Sequence, residues 1–195
     1  MSIAMDYSEN PVLQAILARR SIRSYLDKPV EEEKVQLLLE AAMAAPSACN
    51  LQPWTFVVAK EETQLEALRG CFFGGEFTQP IKAPLMVTVC GSGKHIPWEG
   101  NGWLVDCAAA AQNMLLAATA LGLGSLWVGG FHPDKVSQVL GLPDELEPMA
   151  LLCFGYAAQE RPPHTWYDPD AVHKERYDSG RQRKWRTQDM LRTDP

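Results

Sequence analysis

Residues 19–30 read RRSIRSYLDKPV, with Arg19, Arg20 and Arg23 gathered around Ser21 in a chain whose formal net charge is -6. Two readings compete for this cluster. Arginines at a helix C-terminus complement its dipole and pair with nearby carboxylates. Guanidinium groups also fork onto phosphate oxygens, and a serine hydroxyl beside them adds a donor. Three cations packed together repel, which favours the anion. The preceding residues, NPVLQAILARR at 10–20, open on an Asn-Pro pair suited to a helix cap and first turn. Val12, Ile16 and Arg20 recur at helical spacing, as do Leu13 and Leu17. The spacing predicts a helix that delivers the arginines at its C-terminal end. If helical geometry persisted, the three would share one side. On this stretch alone the readings are even.

The whole chain sets wider bounds. At 195 residues, 46% hydrophobic and 22% charged, it is read as a single domain over 1–195 that can bury a real core. An acidic pI near 5.2 argues against general nucleic-acid binding, which selects a broadly basic face. A small anion needs only a local cluster. Five cysteines at 49, 71, 90, 107 and 153 form no Cys-x-x-Cys pair. Four lie in apolar or helical runs and read as packing residues. The histidines are scattered, so no metal site is expected. No charged-then-apolar stretch opens the sequence, so the expectation is a cytoplasmic protein with free thiols. The most apolar run, WLVDCAAAAQNMLLAATALG, is broken by Asp106, Gln112 and Asn113. It reads as a buried helix, and no membrane span is expected.

Alternating patterns follow. EEEKVQLLLEAAMAAP (31–46) carries acids in its first turn and an apolar face of Val35, Leu38, Leu39 and Ala42, a helix stopped by Pro46. Short buried strands are expected at 54–60 and 84–91, with a helix between them near ETQLEALRG. A long helix over about 102–121 ends at Gly122. A strand follows at 124–131, running into a glycine turn, then a short helix in HPDKVSQVLGLP and a strand at 149–157. The core is placed at about 10–157. From 158 to 195 charge and proline dominate, yet Trp166, Tyr167, Tyr177 and Trp185 remain. That is too aromatic for ordinary disorder, and the expectation is a docking arm.

Several motifs fail on inspection. GSGKH (91–95) lacks the upstream glycine and following Ser or Thr of a phosphate loop. Gly122 and Gly124 sit between a helix and a strand, the reverse of the dinucleotide fingerprint. No Gly-x-Ser-x-Gly elbow or His-Glu-x-x-His occurs. Asp168 and Asp170 read as turn residues, and Asp106 as a helix-dipole or capping acid. Two stretches remain. PSACNLQPW (46–54) crosses from helix to strand with Ser47, Asn50 and Gln52, whose hydroxyl and amides suit a polyol or a heterocycle edge. LWVGGF (126–131) ends a strand in two glycines, which lets backbone N–H groups approach a flat ligand. Each has an ordinary turn as its bland alternative.

Taken in order, RRSIRSYLDKPV, APSACNLQPWTFVV and ALGLGSLWVGGF resemble the FMN-dependent nitroreductase family, over roughly residues 10–157. The resemblance implies an α+β nitroreductase-like fold, with a central, mostly antiparallel sheet flanked by helices. It implies an intertwined homodimer with a C-terminal arm and an FMN at each of two interface sites. Carried over, Arg19, Arg20, Ser21 and Arg23 would hold the phosphate and flavin edge, with Arg23 toward N1 and O2. Pro46, Ser47, Asn50 and Gln52 would reach the ring and ribityl chain from the partner subunit. Trp127, Val128, Gly129 and Gly130 would lie against the isoalloxazine near N5 and O4. The implied activity takes a hydride from NAD(P)H onto flavin N5 and passes two electrons to a nitroaromatic or quinone-type acceptor by a ping-pong mechanism. No catalytic side chain is assigned, because the flavin carries the chemistry.

Two departures accompany the resemblance. Relatives carry a phosphate-binding arginine in the tail, where this chain has Thr165 and Trp166; Arg161, Arg181 and Arg183 are the candidates to replace it. Gly129 stands where some relatives have an acid. Other flavin reactions on the same fold, reductive dehalogenation or flavin fragmentation, stay open. So do a slow-turnover FMN carrier or sensor and, more distantly, an anion-binding module without flavin.

Overall fold

The computed structural model describes residues 10–73, 81–93, 100–162 and 168–180. The chain divides into two compact units, Met1–Pro163 and His164–Pro195. In the first unit, helix α1 (Pro11–Ala18) is capped as the sequence suggests, with Asn10 Oδ1 accepting from the N–H groups of Val12 and Leu13 at 3.0 and 3.1 Å. Helix α2 is Glu32–Met43, strand β1 Trp54–Ala59, helix α3 Glu62–Arg69 and strand β2 Leu85–Gly91. Helix α4 (Gly102–Ala120), strand β3 (Gly124–Val128), helix α5 (Pro133–Leu140) and strand β4 (Glu147–Gly155) complete it. Every regular element anticipated from the periodicity is present, in the expected order.

The four strands form one antiparallel sheet in the order β1-β2-β4-β3. Both faces are covered, which is why β2 and most of β4 read as unbroken apolar runs rather than alternating ones. One face packs Val87, Leu152 and Phe154 against Leu38 of α2 and Ala110, Ala111 and Met114 of α4. The other packs Met86, Leu151 and Cys153 against Leu65 and Leu68 of α3 and Val136 of α5. Alanines let α4 lie close to the sheet and to α2, so the helix is buried with little side-chain bulk.

The start of α2 is tied to the end of β4 by a polar knot. Lys34 Nζ donates to Tyr156 OH (2.9 Å) and to the Leu121 carbonyl (3.0 Å), and Tyr156 OH donates to the Glu31 carboxylate at 2.8–2.9 Å. Gly91 sits against Trp103 and Cys107, where an added Cβ would lie 2.7 Å from Cys107 Sγ. Packing, not phosphate, accounts for the first glycine of GSGKH. His95 lies outside the described residues. Four of the five cysteines are buried and only Cys49 is exposed. No helix among the described residues is long and apolar enough to cross a membrane.

In the second unit Asp168 caps a short 3₁₀ turn, Pro169–Ala171, by accepting from Asp170 N at 3.1 Å. That is turn chemistry, as the sequence suggests. His173 Nδ1 accepts from Asp178 N at 3.1 Å beside the Tyr177 ring.

Candidate functional site

The arginine stretch is not the end of a helix. Helix α1 stops at Ala18, and Arg19 already has extended backbone (φ -57°, ψ 123°). Sharing a helical face is therefore the wrong geometry for Arg19, Arg20 and Arg23. Tertiary bonds override the pattern here: Ile22 N donates to the Ser125 carbonyl at 2.9 Å, and Ser21 bridges Ser125 in parallel. Further on, Leu26 N donates to Tyr156 O (2.8 Å) and Ala158 N to Ser24 O (3.0 Å). The segment thus meets β3 at Ser125 and then pairs with the chain just past β4, at 156–158.

Two inward anchors shape it. Ile22 is buried against Gly124, where a Cβ would come within 3.0 Å of its side chain. The Tyr25 hydroxyl donates to the Ile22 carbonyl (2.7 Å), with the Cys153 carbonyl 3.3 Å away. Burial pushes that phenol up, so it stays a donor. With Ile22 and Tyr25 turned to the core, Arg19, Arg20 and Ser21 are left half-buried and Arg23 exposed. Among the described residues, no carboxylate lies within ion-pair distance of these three arginines. Among those residues, the pairing that the bland reading requires is not found.

At the far end of β3 the chain runs through Gly129 and Gly130, both exposed. Phe73 N donates to the Gly130 carbonyl at 2.9 Å, and an added Cβ on Gly130 would come 3.3 Å from the Phe73 ring. Phe73, half-exposed and edge-on to His132 at 4.8 Å, is a neighbour that sequence reasoning missed. Most of the adjoining segment, from 74 to 80, lies outside the described residues. Ser21 thus meets this edge strand at Ser125, and Trp127, Val128, Gly129 and Gly130 follow further along the same strand and its exit.

The loop with Pro46, Ser47, Asn50 and Gln52 is not gathered there. It enters β1, the opposite edge, three interstrand spacings or about 14 Å across the sheet. Its backbone is unusual, with Cys49, Asn50 and Gln52 at φ 49°, 57° and 49°, the left-handed region that side chains disfavour. Ser47 Oγ accepts from Gln52 N (3.0 Å), and Gln52 Nε2 donates to Asn50 Oδ1 (3.2 Å). Asp106 does not cap its own helix. Its carboxylate accepts from Ala48 N, both oxygens at 3.2 Å, and so receives this loop. A lone acid on the buried face of an alanine-rich helix was the available signal.

Arg20 parts company with the other two arginines. It lines a groove of about 770 Å³ with Arg161, Thr119 and Gln159, a groove that Arg19 and Arg23 do not line. Of the arginines weighed as a replacement phosphate ligand, Arg161 thus shares this groove with Arg20; Arg181 and Arg183, like Thr165 and Trp166, lie outside the described residues. Thiol chemistry offers a probe of the loop. Burial pushes Cys90 up to about 11 and both Cys107 and Cys153 to about 12, and raises Cys71. At pH 8 these stay protonated as well as inaccessible. Alkylation followed by peptide mass spectrometry should therefore modify Cys49 first, and uniform labelling of all five would contradict the described core.

The chemistry of this donor set fits a phosphorylated flavin: guanidiniums with no carboxylate partner among the described residues, a hydroxyl on the edge strand, backbone free of Cβ further along that strand, and amides on a loop. Comparison with known proteins points the same way. A family model described as "Nitroreductase family" matches residues 16–87 and 100–156. A protein of Archaeoglobus fulgidus, provisionally named an NADH dehydrogenase/NAD(P)H nitroreductase, is 33% identical over 85% of this chain and 98% of its own. The crystal structure of a protein with the same provisional name from Parabacteroides distasonis superposes with a TM-score of 0.79 at 34% identity, covering 87% of this chain and all of that one. An FMN-dependent nitroreductase of Clostridium difficile superposes with a TM-score of 0.76 at 28% identity, over 85% and 99%.

Proposed function

This chain belongs to the nitroreductase family, and on that premise we propose an FMN-dependent oxidoreductase that draws a hydride from NAD(P)H and delivers two electrons to nitroaromatic or quinone-type acceptors by alternating half-reactions. The observation that supports this is the joining of the arginine segment to β3, through Ser21 and Ile22 at Ser125, on the strand that runs on into Trp127–Gly130. When bound, FMN supplies hydride acceptance and two-electron release at N5. The chain supplies position and charge. Arg19 and Ser21 hold the phosphate. Arg23, the exposed cation of the segment, compensates negative charge at the N1–O2 edge. Gly129 and Gly130 present N–H donors without a Cβ in the way, and nicotinamide and acceptor use one flavin face in turn.

The separation of the loop from this edge supports a site shared between two copies, each lending Ser47, Asn50 and Gln52 to the other's flavin. A lone chain also exposes apolar side chains that want cover: Val12 at 64%, Ile16 at 46% and Val105 at 71%. In this homodimer residues 10–157 are the body and 158–195 the arm. The protein works in the cytosol, where free thiols stay reduced.

The test is optical. Purified protein should bind FMN, bleach with NADH or NADPH, and recover colour on adding a nitroaromatic or a quinone. Protein that refuses FMN would remove the flavin reading. Binding without bleaching would leave a carrier or sensor instead. Running both nicotinamides against an acceptor panel identifies the preferred donor and acceptor.

A further inference from the structure

We infer that Asp106 is a positioning residue for the flavin-facing loop, acting through Ala48 on Asn50 and Gln52 without touching the ligand. The inference rests on the FMN reading above. Asp106 is 7% exposed on the inner face of α4, beside Trp103, Cys107 and Ala110. A carboxylate there is unfavourable unless its oxygens are bonded, and the bonds it makes are to the Ala48 N–H, 58 positions earlier in the chain. The loop's own bonds, Ser47 with Gln52 and Gln52 with Asn50, run between its members. They set its shape and not its place on the body. Asp106 fastens that shape to the long helix.

What is fastened is backbone that would relax if released. Three side-chain-bearing residues within four positions are held in the left-handed region. Such conformations persist where the surroundings over-determine them. The side chains so aimed, Asn50 and Gln52, are the amides assigned to the ring and ribityl chain. Freeing Ala48 would let them fall back to ordinary turn geometry, with FMN affinity lost and the hydride chemistry left intact in whatever flavin still binds.

Two variants of the full-length protein remove opposite halves of the bond. Asp106→Leu deletes the acceptor. Ala48→Pro deletes the donor where proline fits, at the first position of the loop's own 3₁₀ turn, Ala48–Asn50, after an extended Ser47 (φ -142°, ψ 154°). Asp106→Asn keeps one acceptor oxygen and serves as the rescue. In fluorescence titrations Asp106→Leu and Ala48→Pro should each raise the FMN Kd about 10- to 100-fold, the loss of one charge-assisted hydrogen bond, and Asp106→Asn should stay within a few-fold of wild type. At saturating FMN, kcat should be retained. Without FMN, alkylation of Cys49 should accelerate in the two bond-deleting variants and not in Asp106→Asn.

Wild-type Kd in Ala48→Pro, or in a folded Asp106→Leu, overturns the proposal. So does unchanged Cys49 labelling in Ala48→Pro. If Asp106→Leu does not fold, Ala48→Pro decides alone. Wild-type protein that binds no FMN would sink the flavin reading instead, and the FMN-free labelling rates would still judge whether Asp106 holds the loop.

Discussion

Replacing Arg23 by alanine is expected to weaken FMN binding about 10- to 100-fold, because a hydrogen bond to a charged group contributes about 1.5–3 kcal/mol. Arg23 is the exposed member of a segment whose neighbours Ile22 and Tyr25 are anchored inward, so the substitution disturbs neither anchor. A merely exposed charge would change affinity far less. Fluorescence titration measures it, and unchanged affinity would take Arg23 out of the site. Pairing this variant with a loop variant, Asn50→Ala with Gln52→Ala, tests the shared site. Each alone should bind FMN poorly. Unfolded together and refolded, random pairing of two copies should restore about a quarter of the sites, since half the dimers are mixed and each mixed dimer keeps one complete site. Sites built within one chain would show no recovery.

The second large effect concerns stability. Phe154→Ala should lower the unfolding free energy by about 3–5 kcal/mol, from lost burial together with the cavity left behind. Phe154 is fully buried on β4, between β2 and β3, and faces the layer of α2 and α4. Few backbones have less room to collapse around a hole. Urea denaturation of the FMN-free protein supplies the number. A loss below about 1 kcal/mol would mean that this face of the sheet is not packed as described, since large-to-small changes in a close-packed core typically exceed that.

Local signals carried most of the architecture. Asn10-Pro11 opened α1 as anticipated, Gly141 closed α5 in the left-handed conformation (φ 62°), and the buried strands followed from their apolar runs. The end of α1 did not follow. Val12, Ile16 and Arg20 continue a helical pattern that nothing local interrupts, but Ile22 has to reach the edge of β3, and that demand comes from a strand a hundred residues later. Asp106 was misread for the same reason: the sequence shows an acid early in a helix and not that Ala48 lies opposite it. Arg20 and Arg161 share a groove that spacing cannot reveal. The site residues themselves were named from the order of three motifs, a resemblance of sets. Their division between two edges belongs to the sheet order, and no stretch of sequence states that order.

The placement of the loop on β1 and the arginine segment on β3 has a consequence for the life of the protein. If the flavin site is shared across copies as proposed, a freshly made chain would be electrically silent. Such a chain would hold no complete seat for a reducible cofactor, so it would draw no electrons from the nicotinamide pool and leak none to oxygen. Pairing would then act as the switch for redox competence, and the ability to turn over would arrive only with a chain that has already found its match.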